Sequence, residues 1–322
     1  MSAGWVAGSV RATALARRRL DRTGLRLVAG EDTLAAAVDR LAGTPYGHDV
    51  RRGDALPQAQ RAVASTLLWH LRVLAGWVPP HGAQVIRALA AGFEVANVDE
   101  HLAGLAGRPA EPAYALGSLQ TAWSRLARTR TPGQVRAVLA SSPWGDPGSS
   151  SAREVHLSMT LAWAQRVVDL VPAAADWARS HAATATAGEA LLGSPLPPDG
   201  PLAARIGRLL GAGFASAVTG PGSSLDAAVE ALPRHVRQGW TGVLGPGDLW
   251  RAEAALLDRV GSDAVALLGH GDRGPRPVVG AVALLAVDAW RARAALEVAA
   301  RAGADGRETT LAAAGGVLDA LA

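Results

Sequence analysis

The sequence has 322 residues, with 32 basic and 28 acidic side chains, a formal charge of +4, no cysteine and no lysine. Without cysteine there is no thiolate nucleophile, disulfide or cysteine-ligated metal; without lysine there is no Schiff base, pyridoxal anchor or phosphate-loop lysine, so any chemistry falls to Asp, Glu, His, Ser or Arg. The charge is small and spread along the chain, which gives no footing for nucleic-acid binding.

In chain order, nearly every long segment has helical periodicity. Arg17, Arg18 and Arg19, with Arg11 and Arg22 nearby, mark a solvated or partner-facing helix. Residues 32–43 form a short helix closing in Thr44-Pro45-Tyr46-Gly47. Gln60 to Val78 places Val63, Leu67, Leu68, Leu71 and Leu74 on one apolar stripe and stops at Pro79-Pro80, which supply no backbone donors. Gly82 to Leu105 reads as one further helix, with Val85, Leu89, Phe93, Val98 and Leu102 inward. Helices follow over Glu154–Val171, Leu202–Leu210, Leu249–Leu268 and Val278–Ala302, separated by the turn-rich stretches 145–151, 193–201 and 220–224. Alanine, the best helix former, occurs 70 times, and there are two isoleucines, two tyrosines and two phenylalanines. The expected class is all-α.

An internal repeat organises these helices. With Tyr46 placed over Trp144, Leu41 falls on Leu139 and Thr33 on Thr131, and Thr-Pro-Tyr-Gly matches Ser142-Pro143-Trp144-Gly145. Gly239-Trp240-Thr241-Gly242 is a weaker third instance, the aromatics being 98 and then 96 residues apart. A tryptophan-bearing helix follows each one, at Trp69, Trp163 and Trp250. Three similar helical domains are expected, over 1–108, 109–210 and 211–322.

Candidate reactive constellations are few. The eight histidines show no helical pair four residues apart. Asp99-Glu100-His101 reads as a helix surface, since consecutive helical residues point about 100° apart and do not converge. Gly269-His270-Gly271-Asp272 reads as a polar turn. Gly211-Ala212-Gly213 resembles half a dinucleotide fingerprint but follows a helix instead of a strand. No catalytic, cofactor-binding or metal-binding residue is assigned. Of the ten tryptophans, Trp69, Trp163 and Trp290 lie on apolar stripes and are expected in the core, while Trp5 and Trp77 stand at segment ends, open to either a core or an interface role. The first ten residues, to Val10, precede the basic cluster, the reverse of a secretory signal. The longest apolar run, Pro277–Ala289, is interrupted by Asp288 and is too short to cross a ~30 Å hydrocarbon core at ~1.5 Å per residue. A soluble chain is expected, or one that reaches a membrane through a partner.

The ordered set of segments resembles the C-type subunit family of the bacterial and archaeal V/A-type rotary ATPases, which is related to the d-type subunit of the eukaryotic vacuolar ATPase. The resemblance rests on Trp5 to Arg11, on Leu34 to Gly47 with its Thr-Pro-Tyr-Gly close, on Phe93 to Arg108 with Glu94, Asn97 and Leu102, and on Trp290 to Arg301. The chain departs from the family at Trp5, at Gly8-Ser9, in lacking lysine, and in having no counterpart of Asn97 near Arg205. The resemblance implies a non-catalytic central-stalk component: three pseudo-symmetric helical domains forming a funnel on the cytoplasmic face of the cell membrane. Such a component joins rotor shaft to membrane rotor ring in ion transport, with the proton as the expected ion. It needs no cofactor, inserts no segment into the membrane and takes no small-molecule substrate. The alternatives are a stand-alone helical scaffold binding a protein partner and an all-α enzyme centred on His270 and Asp272.

Overall fold

The computed structural model describes residues 3–192, 195–220, 222–243, 245–269 and 271–305. Among them the architecture is all-helical: no strand forms, and an isolated parallel bridge joins Leu196 to Thr219. The helices are α1 (Ala3–Arg17), α2 (Asp21–Ala29), α3 (Leu34–Ala42), α4 (Leu56–Ala75), α5 (Pro80–Ala90), α6 (Gly92–Leu105), α7 (Trp123–Leu126) and α8 (Pro132–Ala140). They continue with α9 (Ala152–Leu170), α10 (Ala175–Leu192), α11 (Gly200–Leu210), α12 (Ala212–Val218), α13 (Leu225–Ala231), α14 (Arg234–Arg237), α15 (Leu249–Gly269) and α16 (Pro275–Asp305). None of the described helices is long and apolar enough to cross a membrane. Two compact units form: one combines residues 1–83 with 257–322, the other holds 84–256.

In the first unit α16 is the organising element, packing against α1, α2, α3 and α4. Its inward face is rich in small residues: Ala289, Ala292, Ala295 and Ala299, together with Leu296 and Val298, meet Leu25, Val28, Val38, Leu41 and Val63 in one buried cluster. Small residues let helix axes approach closely, so larger partners supply the volume that alanine lacks. Gly280 carries this to its limit, since a Cβ there would lie 2.7 Å from the carbonyl oxygen of Ala264 on α15.

In the second unit α9 is central and packs on α6, α10 and α11. Val98, Leu102, Leu126, Val135, Leu139, Trp144, Val155 and Met159 form its buried cluster. The helix expected over Gly82–Leu105 is two helices. The Ala91 amide reaches back only to the Ala88 carbonyl (3.3 Å), and the Ala91 carbonyl then accepts from both Glu94 (3.0 Å) and Val95 (3.2 Å). This tight turn before Gly92 starts α6 afresh.

The two stronger repeat copies match bond for bond. Thr33 caps α3 by accepting from the Ala36 amide, and Thr131 caps α8 by accepting from Gln134, each at 3.2 Å. Leu41 and Leu139 are both fully buried. Thr44 and Ser142 donate their hydroxyls to the Leu41 and Leu139 carbonyls (2.6 and 2.8 Å) and accept from the Tyr46 and Trp144 amides (both 3.2 Å). The third copy keeps the capping hydroxyl, with Ser224 accepting from Ala227, but α13 ends at Leu232-Pro233 and α14 intervenes before Trp240. Gly239 and Thr241 stand where the other copies have proline and glycine around the aromatic, and Pro233 ends α13 early, so the Pro-aromatic-Gly turn has no counterpart there.

Candidate functional site

Each repeated turn delivers an aromatic donor to a buried carboxylate. In the first unit the Tyr46 hydroxyl donates to Asp288 Oδ2 at 2.8 Å. Asp288 comes from α16 and also accepts the backbone amides of Leu20 (3.1 Å) and Asp21 (3.0 Å) at the start of α2. Asp21 has φ of +63°, a left-handed conformation that few non-glycine residues adopt, and its own carboxylate caps α2 by accepting from the Gly24 amide. Burial pushes the Asp288 carboxyl upward, and the donated bonds and Arg19 pull against that rise. Burial pushes the Tyr46 hydroxyl upward too, so it stays a donor.

In the second unit Trp144 Nε1 donates to Glu94 Oε1 at 3.0 Å, while the Thr121 and Ala122 amides, at the start of α7, donate to the two Glu94 oxygens. Glu94 is 1% exposed and Asp288 4%, so each anion depends on these donors in place of water. Asn97, one turn beyond Glu94, holds the Tyr114 backbone from both sides, accepting from its amide and donating to its carbonyl.

Both turns border a basic cavity. In the first unit a cavity of 220 Å³ is lined by Arg11, Arg18, Arg19, Tyr46, His48, Trp69, His70 and Asp288, among others. His48 and Trp69 stack with ring centroids 4.1 Å apart. Arg11 Nε and His70 Nδ1 are buried with no hydrogen-bond partner. His70 is held down at about 4 by burial and by repulsion from His48, Arg18 and Arg11, against a small opposing pull from Asp49, so its ring is neutral. In the second unit a 220 Å³ cavity is lined by Trp144, Gly145, Gln165, Arg166, Arg205 and Arg208. The Arg166 guanidinium lies 5.0 Å above the Trp144 ring, and its Nη1 is buried without a partner. Chemically, two walls of guanidinium groups with unmet donors are arrangements for anions.

No protein-family model and no curated protein matches this chain.

The sequence candidates fall as follows. Asp99, Glu100 and His101 go to separate partners: Asp99 pairs with His156 Nδ1 at 2.8 Å, Glu100 accepts from the Glu111 amide, and His101 Nε2 meets the Thr129 hydroxyl at 2.8 Å. His270 lies outside the described residues, and Asp272 accepts from the Gly274 amide as an ordinary turn residue. Gly211 has φ of +96° and separates α11 from α12, a helix–helix corner. Among the described residues no three His, Asp or Glu side chains gather in a metal-holding group. Trp69, Trp163 and Trp290, expected in the core, are partly buried, with Trp163 packed against the core cluster of the second unit; Trp144, Trp177 and Trp240 are the buried tryptophans. Trp77 is 50% exposed, and the Arg11 guanidinium lies 5.9 Å from its ring centroid.

Arg11, Arg18 and Arg19 are not a purely solvated face. Arg11 and Leu15 are spaced i, i+4 on one face of α1, and Arg18, just past its end, joins them in lining the cavity. The same spacing places Thr66 and His70 on one face of α4. That periodicity was the available signal for the site.

Proposed function

We propose that the chain is a non-catalytic coupling component of a V/A-type rotary ATPase, joining rotor shaft to membrane rotor ring on the cytoplasmic face. The observation that carries this reading is the carboxylate-anchored turn. The segments behind the resemblance, Thr44–Gly47 and the helix bearing Glu94, supply the turn of one anchor and the carboxylate of the other. Two copies of one device at equivalent repeat positions are what a chain of three pseudo-symmetric helical domains, over 1–108, 109–210 and 211–322, would carry, with the third copy worn at Trp240. A torque-transmitting adaptor needs stiff joints more than reactive side chains, and a buried carboxylate bonded to three donors from two other segments is a stiff joint. Exposed Trp77 and Trp250 supply aromatic anchor points of the type that dominates protein interfaces.

The test is affinity purification of the tagged full-length chain from its own host, followed by mass spectrometry. Co-elution of the shaft and ring proteins with the catalytic head supports the reading. Elution alone, or with an unrelated partner only, overturns it and favours a stand-alone scaffold.

A further inference from the structure

The cavity beside the Tyr46 turn has a property that a structural joint does not require. Two nitrogens in its wall, Arg11 Nε and His70 Nδ1, are buried and bonded to nothing. Such groups are rare because each forfeits the hydrogen bonds that water gave it. Arg18 and Arg19 add two more guanidinium groups to the same wall. Against these three cations stand two carboxylates: Asp288, whose oxygens already accept from Tyr46, Leu20 and Asp21, and Asp49 behind the wall, which is bonded to His48 and accepts from the Thr66 hydroxyl. The cavity therefore holds excess positive charge, an unmet guanidinium donor and a ring nitrogen that donates once it carries a proton. Its 220 Å³ is several times the ~30 Å³ share of one water, room for a tetrahedral oxyanion with a substituent.

We propose that this cavity binds a phosphate-class dianion, with Arg11, Arg18 and His70 as its donors. The three guanidinium groups outnumber the two carboxylates, so the cavity favours an anion. Guanidinium forks match phosphate oxygens two at a time. The half-buried ring of Trp69, stacked on His48, forms an apolar wall suited to whatever the phosphate carries. The inference holds whether or not the chain joins a rotary ATPase, because it rests on the first unit alone.

The neutral ring of His70 supplies the readout. His48, Arg18 and Arg11 repel its proton, Asp49 attracts it weakly, and Arg19, Tyr46 and Asp288 complete the titratable groups lining the cavity. A bound dianion reverses that balance and raises the pKa from about 4. The experiment is a titration of the full-length, histidine-labelled chain with inorganic phosphate at fixed ionic strength, followed by NMR of the His70 ring. The expected result is a saturable shift, a rise of one unit or more in the His70 pKa, and roughly tenfold weaker binding in Arg18→Gln. Arg18 is exposed just past the end of α1, so this substitution leaves the packing in place. A linear response, or the same response to added sodium chloride, overturns the proposal without recourse to any variant; so does unchanged affinity in Arg18→Gln. Competition by ATP, or by vesicles containing phosphatidic acid, then identifies the phosphate as that of a nucleotide or of a lipid headgroup, and competition by neither identifies the free anion.

Discussion

Tyr46→Phe isolates the anchor in the first unit. The substitution removes one hydroxyl and leaves the ring, which is buried with the core around it. What is lost is a 2.8 Å bond to a carboxylate that is 4% exposed and keeps only the Leu20 and Asp21 amides as donors. A hydrogen bond to a charged group contributes about 1.5–3 kcal/mol, and that is the expected loss at pH 7.5. The pH dependence is a sharper criterion. The Asp288 carboxyl lies above its ordinary value in the folded protein, chiefly through burial, and the Tyr46 hydroxyl is among the groups opposing that rise. An acid whose folded pKa is raised binds more protons folded than unfolded, so stability falls as pH climbs from 3.8 through the folded value. Removing the hydroxyl raises the folded value further and steepens this fall. The difference between parent and variant is therefore largest with the carboxylate charged and shrinks on acidification to about 0.5–1.5 kcal/mol, that of a neutral bond. Urea unfolding followed by tryptophan fluorescence at pH 7.5 and 4.5 measures both. A loss under about 0.5 kcal/mol at pH 7.5, or one that grows on acidification, would refute the argument that Asp288 depends on Tyr46.

His70 makes an opposite prediction about acid. Its folded pKa of about 4 lies below the ordinary 6.5, so the unfolded chain takes up a proton that the folded chain refuses; stability drops as pH falls from 6.5 toward 4, by up to about 3 kcal/mol, and His70→Gln flattens that drop in urea titrations. The glycines closing the two turns respond differently to alanine. In Gly47→Ala the new Cβ lies 2.1 Å from the Ala42 carbonyl oxygen, a backbone atom, while in Gly145→Ala it meets the movable Arg205 Nη2 at 2.6 Å and bears the cost of a φ of +72°. Thermal unfolding should show a loss above about 3 kcal/mol for the first and about 1–2 kcal/mol for the second. Thr33→Ala and Thr131→Ala each remove a helix cap, and each should cost about 1 kcal/mol, with the amides of α3 and α8 respectively exchanging faster with deuterium.

The helices and the paired turns are legible in the sequence because both follow from local rules: a 3.6-residue apolar stripe, a capping hydroxyl, a proline after a leucine. Thr33 and Thr131 are caps and Leu41 and Leu139 are core on the same reasoning that aligned them. The break at Ala91 was not legible, because alanine and glycine in the middle of Gly82–Leu105 carry no stop signal; the new start at α6 serves Glu94, whose partners lie 27 to 50 residues away. Asp288 was visible only as an interruption of an apolar run. Its role depends on Tyr46, 242 residues distant, a relation that no local pattern encodes. The cavity arginines stood out as a cluster but their role did not, since in a chain whose 32 basic residues are all arginine such a cluster gives little contrast.

The reliance of α1 through α4 on α16 also bears on how the chain is made. Those helices bury Leu25, Val28, Val38, Leu41 and Val63 against residues 289–299, so about two hundred residues of intervening chain must be translated before their cover exists. At about 5–20 residues per second that is an interval of some ten to forty seconds, during which the second unit, contiguous in sequence, can complete itself while the first waits with its apolar faces bare. A nascent chain in that state is a natural client for a ribosome-associated holdase. Rare codons placed between α4 and α16 would lengthen that dependence and lower the yield of folded protein without changing a single residue.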